Sequence, residues 1–229
     1  VATILECMRI LQFGDSVLPV GAFSFSNGLE SAVQNGIVSD VESLRRFVRT
    51  AVVQAATSDG VGMLEAFRAS AAGDPARVER ADRAIFNRKL NEEMRTMNVR
   101  MGRKMAELAE AVAPSAVVGG WLASIKAGTT PGTYPVGQAV VFSTLGLSER
   151  ETFAVHQYGV ATMMVSSALR LMKLSYLDAQ AILFEVNGEA EATFDRVADA
   201  GLDDMTAFAP TFDVLAALHV RATVRMFMN

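Results

Sequence analysis

Apolar residues recur three and four positions apart along this chain from Ile4 onward, and no segment alternates at length as a strand would. That spacing is punctuated by helix-start signals. Ser39 stands three residues before Glu42, and Ser148 three before Glu151, the pattern of a capping box. Asp74-Pro75 pairs a capping side chain with proline at the first helical position, and Pro114-Ser115 opens another helix through Trp121 and Ile125. Between these starts, Ile4, Met8 and Leu11 define a short amphipathic helix ending near Gly14. Val41, Leu44, Phe47, Val48 and Ala55 define a second, and Asp59 can start a third with Met63, Leu64 and Phe67 inward. From Val78 to Leu108 the residues Ile85, Leu90, Met94, Met97, Met101, Met105 and Leu108 keep helical spacing with room for one break. A long helix is expected from Ser148 to Leu174, another around Ala179–Val186, an exposed acidic helix and turn over 185–204 ended by Pro210, and a last helix through Phe212, Leu215, Leu218, Ala222 and Met226. Ala127 to Gly137 reads as the one clear loop of the second half. With no repeat and no low-complexity stretch, the fold expected is all-α, a single domain over 1–229 built as a bundle of about ten helices.

Composition removes several functions. The net charge of −4 gives no support to nucleic-acid binding, and the basic residues interleaved with the methionines of 77–104 lack the aromatics such a surface carries. A solvated helix face explains them first, and a docking face for an acidic partner second. The most apolar run, Gln157 to Leu169, is thirteen residues long, against roughly 20 needed to cross a bilayer. Glu6 and Arg9 interrupt any secretory core, and a lone cysteine, Cys7, fits a reducing compartment, so a cytoplasmic protein is expected. No phosphate-cradling loop, dinucleotide fingerprint or H-E-x-x-H pair occurs. His156 and His219 are the only histidines, and neither has the neighbours of a catalytic triad or the paired spacing of a closed metal site. The residues therefore describe a protein that is not an enzyme and binds no cofactor tightly.

The stretch Asp15 to Glu30, D-S-V-L-P-V-G-A-F-S-F-S-N-G-L-E, breaks the helical regime. Asp15-Ser16 can form a polar turn, and Pro19 and Gly21 bar a helix from running through. Phe23 and Phe25 alternate with Ser24 and Ser26, which suits an extended segment with both rings on one side. Ser26-Asn27 offers a cap for a short helix that Asn35-Gly36 can close. An irregular apolar loop between two helices is costly unless packing holds it.

The pattern carried by Asp15, Ser16, Leu18, Pro19, Gly21, Phe23, Ser26, Gly28, Leu29 and Glu30 resembles the N-terminal signature of UreF-type urease accessory proteins. The likeness continues in order. It runs through E-E-M-R-T-M-N-V-R-M-G-R-K-M from Glu92 to Met105, T-Y-P-V-G before Thr144–Leu147, A-L-R-L at Ala168–Leu171 with Gln180 downstream, and the closing H-V-R-A-T-V-R-M-F-M-N, which keeps His219, Arg225 and Phe227. The chain departs from the pattern at several places. Phe23 has no hydroxyl where some relatives have tyrosine, Thr133 stands where many have histidine, Lys173 and Tyr176 replace proline and glutamine, and Val220 replaces glutamate.

The resemblance implies a homodimeric scaffold that binds the UreD/UreH accessory protein, recruits the GTPase UreG and serves nickel delivery into apo-urease, with nickel handled only indirectly. It implies partner-binding roles for Asp15, Ser16, Pro19, Gly21, Phe23, Ser26, Glu30, His219, Arg225 and Phe227. On this reading the signature stretch and the terminal helix form one platform, with Arg225 as a charged anchor on the backbone of residues 15–26. Two rivals remain open from the residues: a module that activates UreG by inserting an arginine such as Arg225, and a helical small-molecule enzyme without a familiar motif.

Overall fold

A computed structural model describes residues 3–220, 222 and 225–228 of the chain. Among these residues every regular element is helical: α1 (Ile4–Gly14), α2 (Leu29–Gln34), α3 (Val41–Ala55), α4 (Val61–Ala71), α5 (Pro75–Arg88), α6 (Glu92–Val112), α7 (Ala116–Ala127), α8 (Tyr134–Thr144), α9 (Glu149–Leu171), α10 (Tyr176–Asn187), α11 (Ala190–Val197) and α12 (Pro210–Val220). The all-α bundle expected from spacing is the fold observed.

Local starts and stops follow side-chain chemistry, with some shifts. Ser148 and Glu151 form the predicted capping box, Asp74 caps α5 ahead of Pro75, and Ser115 caps α7. The box expected at Ser39 lies one residue on, where Asp40 accepts from Ser43 N–H and Ser43 answers the Asp40 N–H. Asp59 does not start a helix. Residues Ala56–Gly60 form a π turn that joins α3 to α4 as one rod, and Asp59 is turned inward onto Lys89 at 2.7 Å. Tyr134 to Gly137, expected as loop, begin α8, with Pro135 in its first turn where no donor is needed. Pro210 opens α12 instead of ending the acidic segment, and α12 stops at Val220. Ala222 and Met226 are not helical, and the remaining positions of that expected helix, 221, 223 and 224, lie outside the described residues. In the acidic segment, α11 is only partly exposed, since Thr193, Phe194 and Val197 are buried.

Two apolar clusters make the core. The larger gathers α4 to α8, with Met97, Met101 and Met105 of α6, Trp121 of α7 and Phe142 of α8 among its buried side chains. The smaller joins α2, α3, α10 and α12 around Leu29, Leu44, Ile182 and Leu215. The 23-residue helix α9 serves both, through Phe153 and Val155 at one end and Met164, Val165 and Ala168 toward the other. The methionine stripe is thus core packing, as its spacing suggested.

Gly102 is where α6 and the start of α8 come closest. A Cβ there would lie 2.1 Å from the Gly132 carbonyl oxygen and 2.5 Å from the Thr133 carbonyl carbon, both backbone atoms that cannot swing aside. Asp82, wholly buried on α5, fixes the same loop. Its carboxylate accepts from Thr130 Oγ1, Gly132 N, Thr133 N and Thr133 Oγ1 at 2.5 to 2.8 Å. Gly102→Ala should therefore cost about 2 kcal/mol or more through forced separation of the two elements. Urea unfolding would read it, and a midpoint equal to wild type would refute the close approach.

Candidate functional site

The irregular stretch between α1 and α2 is held from below and left open above. Asp15 accepts from Val17 N–H at 3.0 Å in the expected polar turn. Gly21 sits at φ +91°, which a side chain would strain, and leads into a short 3-10 turn over Ala22–Ser24. This turn overturns the extended reading of the two phenylalanines. Phe25 is buried at 5% exposure, whereas Phe23 is 73% exposed, so their rings point apart. Gly28, not Ser26 or Asn27, is the capping residue of α2, at φ +80° in a slot against Leu215 of α12. Ser26 still contributes, because its hydroxyl accepts from Glu30 N–H at 3.3 Å.

Glu30, in the first turn of α2, is 2% exposed and is the centre of the arrangement. Its carboxylate accepts from Met226 N at 2.7 Å, Phe227 N at 3.0 Å and His219 Nε2 at 3.1 Å. Burial alone would push this carboxyl up, but the hydrogen bonds from Met226, His219 and Phe227 outweigh it and hold Glu30 below the usual glutamate range. The other nitrogen of His219, Nδ1, lies 3.0 Å from Glu93 Oε2 on α6, and Arg225 Nη1 lies 2.7 Å from Glu93 Oε1. The fully buried imidazole thus has a carboxylate oxygen within hydrogen-bond distance of each ring nitrogen. Two carboxylates thus face one imidazole and one guanidinium, so no charge in the node stands alone.

The C-terminal segment closes onto the signature stretch at further points. Met228 N donates to Ser24 O at 2.8 Å. Arg170 of α9 donates to Phe23 O at 3.4 Å, and its guanidinium carbon stands 4.4 Å from the centroid of the buried Phe227 ring. Ser167 Oγ donates to Phe25 O at 3.1 Å. Loop, tail and α9 form one clasp.

Of the residues singled out from sequence, Ser26, Glu30, His219, Arg225 and Phe227 are brought together inside this clasp, while Asp15, Ser16, Pro19 and Phe23 lie exposed along its outer rim. Gly21 sets the turn between the two groups. Arg225 does not reach the backbone of residues 15–26 as expected. Its partner is Glu93, and the loop carbonyls are served by Arg170, Ser167 and Met228 instead. Glu93 sits in a charged run and Arg170 just past the most apolar one, and neither position alone marks a site residue. The E-E-M-R and A-L-R-L segments that contain them were the available signal. His219 is the middle of the node, hydrogen-bonded on both ring nitrogens.

Behind the loop lies a cavity of about 390 Å³, walled by the signature stretch, the π turn and residues of α6, α8 and α9. His156 opens onto it at 4% exposure, with Nδ1 2.9 Å from Gln138 Oε1. Among the described residues no three His, Cys, Asp or Glu side chains converge as metal ligands, and no helix is long and apolar enough to cross a membrane.

The distinctive surface of this all-helical protein is a loop and tail clasped together. A sequence model of the UreF family matches residues 38–187. The chain is 50% identical over 222 residues to "Urease accessory protein UreF 2" of Brucella canis, covering 97% of this chain and 91% of that protein. It is 51% identical over 224 residues to "Urease accessory protein UreF" of Yersinia enterocolitica, covering 98% of each. The chain belongs to the UreF family of urease accessory proteins, a non-catalytic group. The loop and tail of the clasp lie outside the matched span of the family model, whereas Glu93, Ser167 and Arg170 lie within it, and the pairwise likeness to these relatives covers nearly the whole chain.

Proposed function

We propose that this protein acts as a cytoplasmic, homodimeric scaffold in urease maturation, binding a UreD/UreH-type partner and with it recruiting the GTPase UreG for nickel insertion into apo-urease. Nickel is cargo of the assembly on this reading, and GTP belongs to the partner. The observation that carries the reading is the clasp itself. It spends a buried charged node on holding one surface in shape, and that surface turns Val17 and Phe23 outward at 80% and 73% exposure. A monomer gains nothing from displaying them, and a partner would cover them. Further apolar faces support more than one contact. Ile4, Leu5, Met8 and Leu11 of α1 are all more than half exposed, so the amphipathic stripe of that helix faces outward while Phe13 anchors it. Tyr176, Leu177 and Phe184 of α10 form a second exposed group.

Arg225 is already engaged by Glu93, which favours a structural role over insertion into a GTP site. Arg225→Ala is expected to leave helicity and dimerisation unchanged and to weaken recruitment of the GTPase at least tenfold. Size-exclusion of the reconstituted mixture reads this. Full complex formation by the variant would remove the tail from the platform. GTP hydrolysis by UreG measured with and without the protein separates scaffold from activator: acceleration lost in Arg225→Ala would favour the activator.

A further inference from the structure

The cavity behind the signature loop contains a polar group that the fold leaves unanswered. His156 Nδ1 faces the carbonyl oxygen of Gln138, so Nδ1 carries the proton and Nε2 presents a lone pair. That Nε2 is buried and has no hydrogen-bond partner among the described residues. Burial lowers the pKa of His156 to about 4, with Asp59 and Lys89 acting in opposite directions, so the ring is neutral and accepts at Nε2 under ordinary conditions. Thr162 Oγ1, on the same wall, is a second buried polar atom without a partner. An unsatisfied buried acceptor costs about 1–3 kcal/mol, and the residue that carries it lines the cavity wall.

Size, charge and lining define what could answer it. A volume of about 390 Å³ falls within the range of small-molecule pockets and exceeds what one or two ordered waters fill. The ionised side chains at its wall balance, with Asp15, Asp59 and Asp213 against Arg88, Lys89 and Arg170. Lys89 is already held on Asp59 at 2.7 Å. Arg88 donates to the carbonyls of Ala84 and Leu202, and Arg170 to Phe23 O beside the Phe227 ring, so the wall as a whole favours a ligand without net charge. Met97, Met101 and Met163 supply adaptable apolar surface that suits a flat or irregular body. The π turn that carries Ser58 and Asp59 to the wall is a distortion of the kind frequent at functional sites.

We propose that this cavity is a binding site for a small neutral organic molecule with an apolar, ring-sized body and one O–H or N–H donor, which it gives to His156 Nε2. The occupant also braces the signature loop from behind, because Val20 and Asn27 line the same space. The site shares Val17 and Phe23 with the surface proposed above for a partner, and its test reads His156 alone.

Two histidines in the whole chain make the test simple. Protein labelled with 15N-histidine is titrated with p-cresol, which has a ring and a donor, and with toluene, which has the ring alone. The expected result is a saturable shift of the His156 Nε2 resonance with p-cresol only, and about tenfold tighter binding of p-cresol than of toluene, the worth of one hydrogen bond. In His156→Leu the two probes should bind alike. Equal affinities in the wild type, a shift confined to His219, or no saturable response to either probe would each overturn the assignment. If the leucine variant does not fold, the wild-type contrast decides alone.

Discussion

Glu30→Ala should cost roughly 3–5 kcal/mol of stability, the usual penalty for removing one partner of a buried charged pair. The loss has two parts. His219, wholly buried, keeps Glu93 on one nitrogen but faces empty apolar surroundings on the other. The N–H groups of Met226 and Phe227 lose their acceptor, and these bonds help tie the tail to α2. Hydrogen exchange should show those two amides losing protection first, and to a greater degree than amides of α4 or α8. Unchanged protection at Met226 and Phe227 would mean that the tail is held by Phe227 packing and the Ser24 contact alone. Glu30→Gln separates the parts, since the amide still accepts from one backbone N–H but cannot carry the charge that His219 meets.

The second large effect is set by pH. His156 titrates near 6.5 when unfolded and near 4 when buried. Between those values the unfolded chain takes up a proton that the native protein refuses. Stability is therefore full above pH 6.5 and falls as acid is added, by about 2 kcal/mol at pH 5 and about 3 kcal/mol by pH 4. Glu30 acts in a lower window. Its depressed pKa contributes stability that is present above the ordinary glutamate value and disappears as pH falls through the native one. Comparing urea midpoints of wild type and His156→Gln from pH 7 to pH 5 isolates the histidine, because the variant has no proton to refuse. A parallel fall in both proteins would show that the ring is not held neutral by burial.

The helices were legible because their signals are local. A serine three residues before a glutamate, or an aspartate before a proline, acts within one turn and needs no distant partner, so α5, α7 and α9 start where the sequence places them. The errors cluster where distant groups decide. Phe23 and Phe25 alternate like a strand, but a φ > 0 at Gly21 and the buried bond from Ser167 to Phe25 turn the backbone between them. Tyr134–Gly137 look like loop, yet four hydrogen bonds to Asp82 fix the residues just before them and let α8 begin there. In the site, the resemblance singled out Glu30, His219 and Arg225 as partner-binding residues, and the structure gathers them at one node, but charge alone could not choose Glu93 over backbone carbonyls as the arginine's partner. A glutamate 132 residues away leaves no periodic trace.

The clasp joins positions separated by 189 residues at His219 and Glu30, and by 197 at Phe227 and Glu30. A ribosome extending this chain has made both helical clusters' main elements before either His219 or Phe227 exists to be used. The surface that turns Phe23 outward is thus completed only after residues 30 to 218 have been laid down. A truncated or frameshifted product would keep most of its core yet fail to close the loop, leaving Glu30 without its donors. The loop edge therefore becomes firm only on chains translated through Phe227.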